Sequence, residues 1–203
     1  MKYHNVTISG LPGNGSTTLL KLLREKLLLQ DWKAFSGGEF MRMYAAEKGL
    51  FNVKKNKFHH DATAYDEEFD REVDYGMRKR LEVEEKWIIE SWLSGFMAQG
   101  VSGVLKVLLV CKDDAVRIDR IVNRDDISIE EAKTHIVERK EKNVKKWSRM
   151  YEKEWDEWVV KTGKAKPGDE IDFWLPSLYD VVIDTYSNSR EETLETVLKA
   201  LQS

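Results

Sequence analysis

The residues best suited to handling a charged ligand lie in Gly10-Leu11-Pro12-Gly13-Asn14-Gly15-Ser16-Thr17-Thr18. Gly10, Gly13 and Gly15 tolerate positive φ and carry no Cβ, so successive backbone N–H groups can curl around a polyphosphate at the positive end of a following helix. The spacing follows the phosphate-loop pattern G-x-x-x-x-G-K-S/T, and Thr17 falls at its magnesium-binding hydroxyl. Ser16 stands where that pattern has lysine. A serine hydroxyl donates only a neutral hydrogen bond, so a cation for the outer phosphates has to come from elsewhere in the chain. The bland alternative is a glycine-rich turn with no ligand.

Further groups could complete such a site. Ser36-Gly37-Gly38-Glu39-Phe40-Met41-Arg42 places a capping hydroxyl and two glycines at a helix start, with Arg42 one turn inside. This suits a second, acceptor phosphate at Ser36, Gly37 and Arg42, or is an ordinary cap with a surface arginine. Glu90 ends an apolar run, where it either holds a magnesium-bound water beside Thr17 or caps the next turn. Asp66, Asp70 and Asp74 share a helix face, and one of them, taken here as Asp70, can accept hydrogen bonds from a base amino group. Arg124, Arg139, Lys142, Lys145, Lys146 and Arg149 form a basic arm that either is a solvated face or supplies the cations the loop lacks.

The elements that must position these groups alternate strand and helix. Apolar or β-branched runs predict strands at Tyr3–Ser9, Trp32–Phe35, Lys86–Glu90, Val104–Val110 and Tyr179–Asp184. Helical spacing follows the loop through Leu27, runs from Ser36 to a stop at Gly49, from Asp61 to about Leu81, from Asp113 to Asn123 and from about Arg190 to Leu201. Arg124-Asp125-Asp126 reads as a turn, and Ser128-Ile129-Glu130-Glu131 as a capping box that opens a long helix to Trp158. Lys54, Lys55, Lys57, His59 and His60 read as a solvated loop, because adjacent histidines on an extended chain point apart.

The chain has 203 residues, 41% hydrophobic and 34% charged, with a net charge of −3, which suits a single α/β domain spanning 1–203 with a sizeable core. So small a net charge gives no basic field for nucleic acid or membrane. The single cysteine, Cys111, excludes an internal disulfide and a cysteine zinc site. No apolar stretch reaches transmembrane length and the first residues are strand-like, so the expectation is an untagged cytoplasmic monomer.

The motifs Ile8 to Thr18, Ser36 to Arg42, Ile89-Glu90-Ser91-Trp92-Leu93-Ser94-Gly95 and Leu178 to Thr185 together resemble the cytidylate kinase-like family, especially its archaeal type, across nearly the whole chain. Archaeal-type members are similar in carrying a hydroxyl residue in place of the loop lysine. The resemblance implies an ATP- and magnesium-dependent nucleoside monophosphate kinase with a P-loop three-layer sandwich and a parallel five-stranded sheet. It further implies an acceptor-binding helical region at about 37–85 and a mobile lid at about 124–176. Arg42 would bind the acceptor phosphate; Arg124 and Arg139 would be lid arginines, with Lys145 or Lys146 near a further basic position. The family's Glu-Gly-Arg-Leu motif departs here, with Ser91 for its glycine and Trp92 for its arginine, so Trp92 faces the acceptor. A second departure is an insertion at about 155–176 that mixes lysines with Trp158, Phe173 and Trp174. It reads either as a loop pinned by aromatic packing or as a surface for a nucleic-acid or modified-nucleotide acceptor. A nucleotide-binding module that has lost catalysis is the remaining alternative.

Overall fold

A β-strand buried on both faces has to lie in the middle of a sheet, and β1 (Asn5–Gly10) is buried at every position. In the computed structural model, which describes residues 2–47 and 65–203, β1 pairs in parallel with β3 (Trp87–Glu90) and β4 (Val104–Val110). β2 (Lys33–Ser36) and β5 (Val181–Asp184) complete a five-stranded parallel sheet in the order β2-β3-β1-β4-β5. The expected strands are all present, with differences at their ends. Lys86 has φ 63, a left-handed conformation that cannot continue a strand, so β3 begins at Trp87.

Alternation along the strands divides the core into two layers. Val6, Ile8, Ile88, Leu105, Val107 and Leu109 face α1 (Ser16–Leu27) and α8 (Arg190–Gln202), which contribute Leu19, Leu23, Val197 and Leu201. On the opposite face Ile89 and Val104 meet Met77 and Leu81 of α3 (Glu67–Val83), while Leu108 meets Phe96 of α4 (Ser94–Met97). Asn5, fully buried, donates through Nδ2 to the carbonyls of Leu81 (3.2 Å) and Glu84 (2.8 Å) and accepts from Trp87 N (2.9 Å). It thereby ties the end of α3 to the first residue of β3.

The helices follow the expected caps. Ser36 precedes α2 (Gly37–Glu47), and Asp113 caps α5 (Asp114–Asp125). The Ser128/Glu131 capping box opens α6 (Ile129–Met150). Asp66 caps α3 through Phe69 N at 2.7 Å, whereas Gly49, the 51–60 loop and Asp61 lie outside the described residues. Arg124 and Asp125 belong to α5 rather than to a turn, and the chain reverses at Asp126 (φ 52). The helix expected to reach Trp158 ends instead at Met150. The fully buried Tyr151 leaves helical geometry (φ −114, ψ 21), its hydroxyl donates to Asp74, and a short α7 (Glu152–Trp155) and a wide turn at Asp156–Val160 follow.

The 155–176 insertion is part of the core. Trp155, Val159, Phe173 and Trp174 are buried against Phe96, Met97 and Leu178. Phe173 meets Phe96 edge-on at 4.8 Å. Trp158 is covered by the Arg78 guanidinium at 4.1 Å, and Lys164 donates to Gln99. These rings are engaged in packing rather than presented for base stacking.

Truncating a ring at such a site costs about 3–5 kcal/mol through lost burial and a residual cavity. Phe173→Ala should therefore lower global stability by about 3 kcal/mol or more in urea unfolding. A detachable lid would leave the main transition unmoved.

Candidate active site

The loop between β1 and α1 is clamped from beneath. Asn14, nearly inaccessible, donates through Nδ2 to Leu109 O at 2.9 Å, and its own N–H donates to Leu11 O at 3.1 Å. Gly13 has φ +83, and a Cβ there would come within 2.8 Å of Arg117 O. Gly15 (φ 90) occupies the N-cap of α1 with no side-chain cap, so the helix's first N–H groups have no internal partner. Gly10, Gly13, Gly15, Ser16, Thr17 and Thr18 line a cavity of about 520 Å³.

Ser16 does not face outward in the way a loop lysine would. Its Oγ donates to Glu90 Oε1 at 2.8 Å, and Ser36 Oγ donates to Glu90 Oε2 at 2.8 Å. Ser36 also accepts from Glu39 N at 3.3 Å, which makes it the cap of α2 as well. Glu90, at the end of β3, thus joins the start of α1 to the end of β2, has only 6% of its surface exposed and, like Thr17, lines the cavity.

The cations come from four helices. Arg42 of α2, Arg120 and Arg124 of α5, Arg139 of α6 and Arg190 of α8 all line this cavity. Arg124 is held by Asp125 through Nε (2.8 Å) and Nη2 (2.7 Å). Arg120 was not among the residues expected from the sequence. Its Nη1 donates to Gly13 O (3.1 Å) and Thr185 Oγ1 (2.9 Å), and Nη2 donates to Thr185 O (2.9 Å). The signal was available: Arg117, Arg120 and Arg124 recur at helical spacing along one face of α5.

Of the six cations of the basic arm, Lys142, Lys145, Lys146 and Arg149 do not line this cavity; Lys142 pairs with Glu138 and Arg149 with Glu67. Lys145 is exposed and lines neither cavity described here. Lys146 is buried, and its Nζ donates to Asp70 Oδ2 and Tyr65 O, each at 2.8 Å. The helical period explains Lys145, which lies off the α6 face that carries Arg139, Asn143 and Trp147 inward; Lys146 lies on that face but is engaged by Asp70.

A second cavity, of about 120 Å³, adjoins the first and shares Gly38, Arg42, Ser91, Trp92 and Arg139 with it. Gly37, Met41, Tyr65, Val73, Met77 and Trp147 give it apolar walls, while Asp70, Asp74 and Asn143 supply polar groups. Asp70 therefore lies at the cavity as expected, with one oxygen engaged by Lys146. Burial pushes the Asp70 carboxyl up, and the Lys146 ammonium opposes this. Asp74 accepts from Tyr151 OH at 2.7 Å, and burial pushes its carboxyl up to about 7 against that hydrogen bond.

The family profile described as an AAA domain matches residues 6–147. Two curated relatives are similar over nearly the full length. The cytidylate kinase of Haloarcula marismortui is 30% identical over 98% of this chain and 89% of its own. That of Methanopyrus kandleri is 33% identical over 96% of this chain and 91% of its own. The chain belongs to the cytidylate kinase-like family. It is a nucleotide kinase with a P-loop fold. Its fold is shared with shikimate kinase from Acinetobacter baumannii, which aligns over 98% of this chain and 93% of the other at TM-score 0.51 and 10% identity. Among the described residues of this kinase no helix is long and apolar enough to cross a membrane.

Asp74 gives the second cavity a measurable pH signature. Between about pH 4 and pH 7 the unfolded chain holds this carboxyl ionised while the fold keeps it protonated, so its contribution to stability falls as pH rises through that window and is flat above it. Asp74→Asn should gain on the wild type by on the order of 1–3 kcal/mol in urea unfolding at pH 7.5 relative to pH 4.5. Parallel profiles would show that Asp74 titrates as an ordinary carboxyl.

Proposed function

We propose that this kinase transfers the γ-phosphoryl group of ATP to a nucleoside monophosphate, with cytidylate the first acceptor to test. The observation that carries this reading is the junction of two cavities at Arg42 and Arg139. One is large and built on a phosphate loop; the other is small, apolar-walled and ends in carboxylates, which suits a base carrying an amino group.

In this reading the N–H groups around Gly13, Asn14, Gly15, Ser16, Thr17 and Thr18 cradle the donor phosphates, with Gly10 letting the backbone approach. Arg42, with Ser36 and Gly37 behind it, holds the acceptor phosphate. An acceptor phosphate oxygen attacks the γ-phosphorus, the bond to the β,γ-bridging oxygen breaks, and ADP leaves with that electron pair. Arg124 and Arg139 stabilise charge on the oxygens in flight, so positioning and electrostatics carry the reaction and no general base is required. Lys146 instead fixes Asp70, leaving the second Asp70 oxygen and Asp74 to meet the base.

The oxygen donors suit magnesium: Thr17 offers a hydroxyl and Glu90 a carboxylate, a sparse set of the kind found where phosphates supply the remaining ligands. Bound there, magnesium would neutralise charge shared by the β and γ phosphates. Ser16 and Ser36 hold Glu90 in place for this role through both of its oxygens.

The decisive experiment is ATP consumption with magnesium against CMP, dCMP, UMP, AMP, GMP, dTMP and a short oligonucleotide, with products identified by mass. One monophosphate stimulating turnover by orders of magnitude is the expected result. Stimulation by the oligonucleotide alone would overturn the acceptor assignment. Arg139→Ala should lower kcat by about 100-fold while changing ATP affinity by less than about 3-fold, and Arg42→Ala should raise the acceptor KM by about 10-fold or more. Small and equal effects on all parameters would remove both residues from these roles.

A further inference from the structure

We infer that Trp92 is a positioning residue that holds the Arg139 guanidinium at the junction of the two cavities, an inference that rests on the phosphoryl-transfer reading of that junction. The Arg139 guanidinium carbon lies 4.9 Å from the centre of the Trp92 ring, within the distance at which an aromatic face attracts a cation. Such a contact uses no hydrogen-bond acceptor. It fixes where the guanidinium sits through the face of the ring.

The ring is itself immobilised from two sides. Trp147 of α6 meets it nearly edge-on at 5.6 Å and 78°, and Trp174 does so at 6.0 Å and 70°. Trp174 also donates through Nε1 to Trp92 O at 3.0 Å. Trp174 belongs to the packed insertion and Trp92 to the loop after β3, so the sheet and the insertion together set the platform on which a helix α6 residue rests. Trp92 and Arg139 line both cavities, as a pair acting on a group passing between them must.

The two departures in the sequence thereby acquire one explanation. Tryptophan at 92 and the aromatic insertion act together. A second arginine at 92 would place like charges side by side, whereas the indole gives Arg139 a support that adds no charge.

The test combines a direct readout of Arg139 with a double-mutant cycle. In the proton–nitrogen NMR spectrum of the arginine Nε–H groups, the peak that disappears in Arg139→Ala should be displaced upfield by the indole ring current. It should move toward the ordinary position in Trp92→Leu and stay partly displaced in Trp92→Phe. Kinetically, Trp92→Leu should lower kcat by about 10-fold with the ATP KM changed less than about 2-fold, Trp92→Phe should restore most of the rate, and the double variant with Arg139→Ala should be no slower than Arg139→Ala alone. Additive losses, or an Arg139 peak unmoved in Trp92→Leu, would overturn the inference. Should the wild type phosphorylate no acceptor, the kinetic reading of the junction falls, and the NMR displacement still decides whether Trp92 holds Arg139.

Discussion

The Glu90 carboxylate receives one hydroxyl from the phosphate loop and one from the end of β2, both at 2.8 Å, while sitting at the end of β3. The ends of β2 and β3 and the start of α1 are thus locked together on the side of the sheet where ligands collect. A carboxylate with 6% exposure tolerates burial only with its oxygens engaged. The loop, helix α2 and the strand behind them consequently take their relative positions from this one group. Ser16 belongs to the arrangement: a lysine there would reach the same carboxylate as a charge, not as a neutral donor.

Beside a loop with no lysine, arginines on surrounding helices line the cavity. Arg120 shows how closely they are integrated, since it bridges the loop carbonyl of Gly13 and the end of β5 at Thr185. Arg124, in the last turn of α5, Arg139, midway along α6, and Arg42 of α2 line the same cavity. Cations on separate elements can be assembled around a ligand in a way that a loop lysine, fixed at one point, cannot.

The wall of the second cavity is braced between α3 and the α6–α7 segment. Lys146 pairs with Asp70, Tyr151 donates to Asp74, and Arg71 and Tyr75 donate to Glu154. Burial opposes ionisation of Glu154, but the hydrogen bonds from Tyr75 and Arg71 outweigh it and hold the carboxyl below its usual range. Buried pairs of this kind add little net stability because desolvation offsets much of the attraction, but breaking one strands its partner. Their contribution here is to fix geometry: α3 and α6 meet in the one register that turns Asp70, Asp74 and Asn143 toward the same cavity.

Local chemistry alone determined much of this protein. The glycine spacing from Gly10 to Gly15, the apolar runs and the caps at Ser36, Asp113 and Ser128 depend on neighbours within a few residues, and they specified the loop, the strands and most helix starts. What the sequence left open was decided by contacts between residues far apart in the chain. Tyr151 ends α6 because its side chain is drawn into the core beside Asp74, and Lys146 does not reach the larger cavity because Asp70, 76 residues away, captures its charge. Glu90 meets Ser16 only across the sheet, and Arg120 meets Gly13 only after α5 packs back over the loop. Periodicity names the face a residue occupies, but only the packed fold determines which charge or ring waits opposite that face.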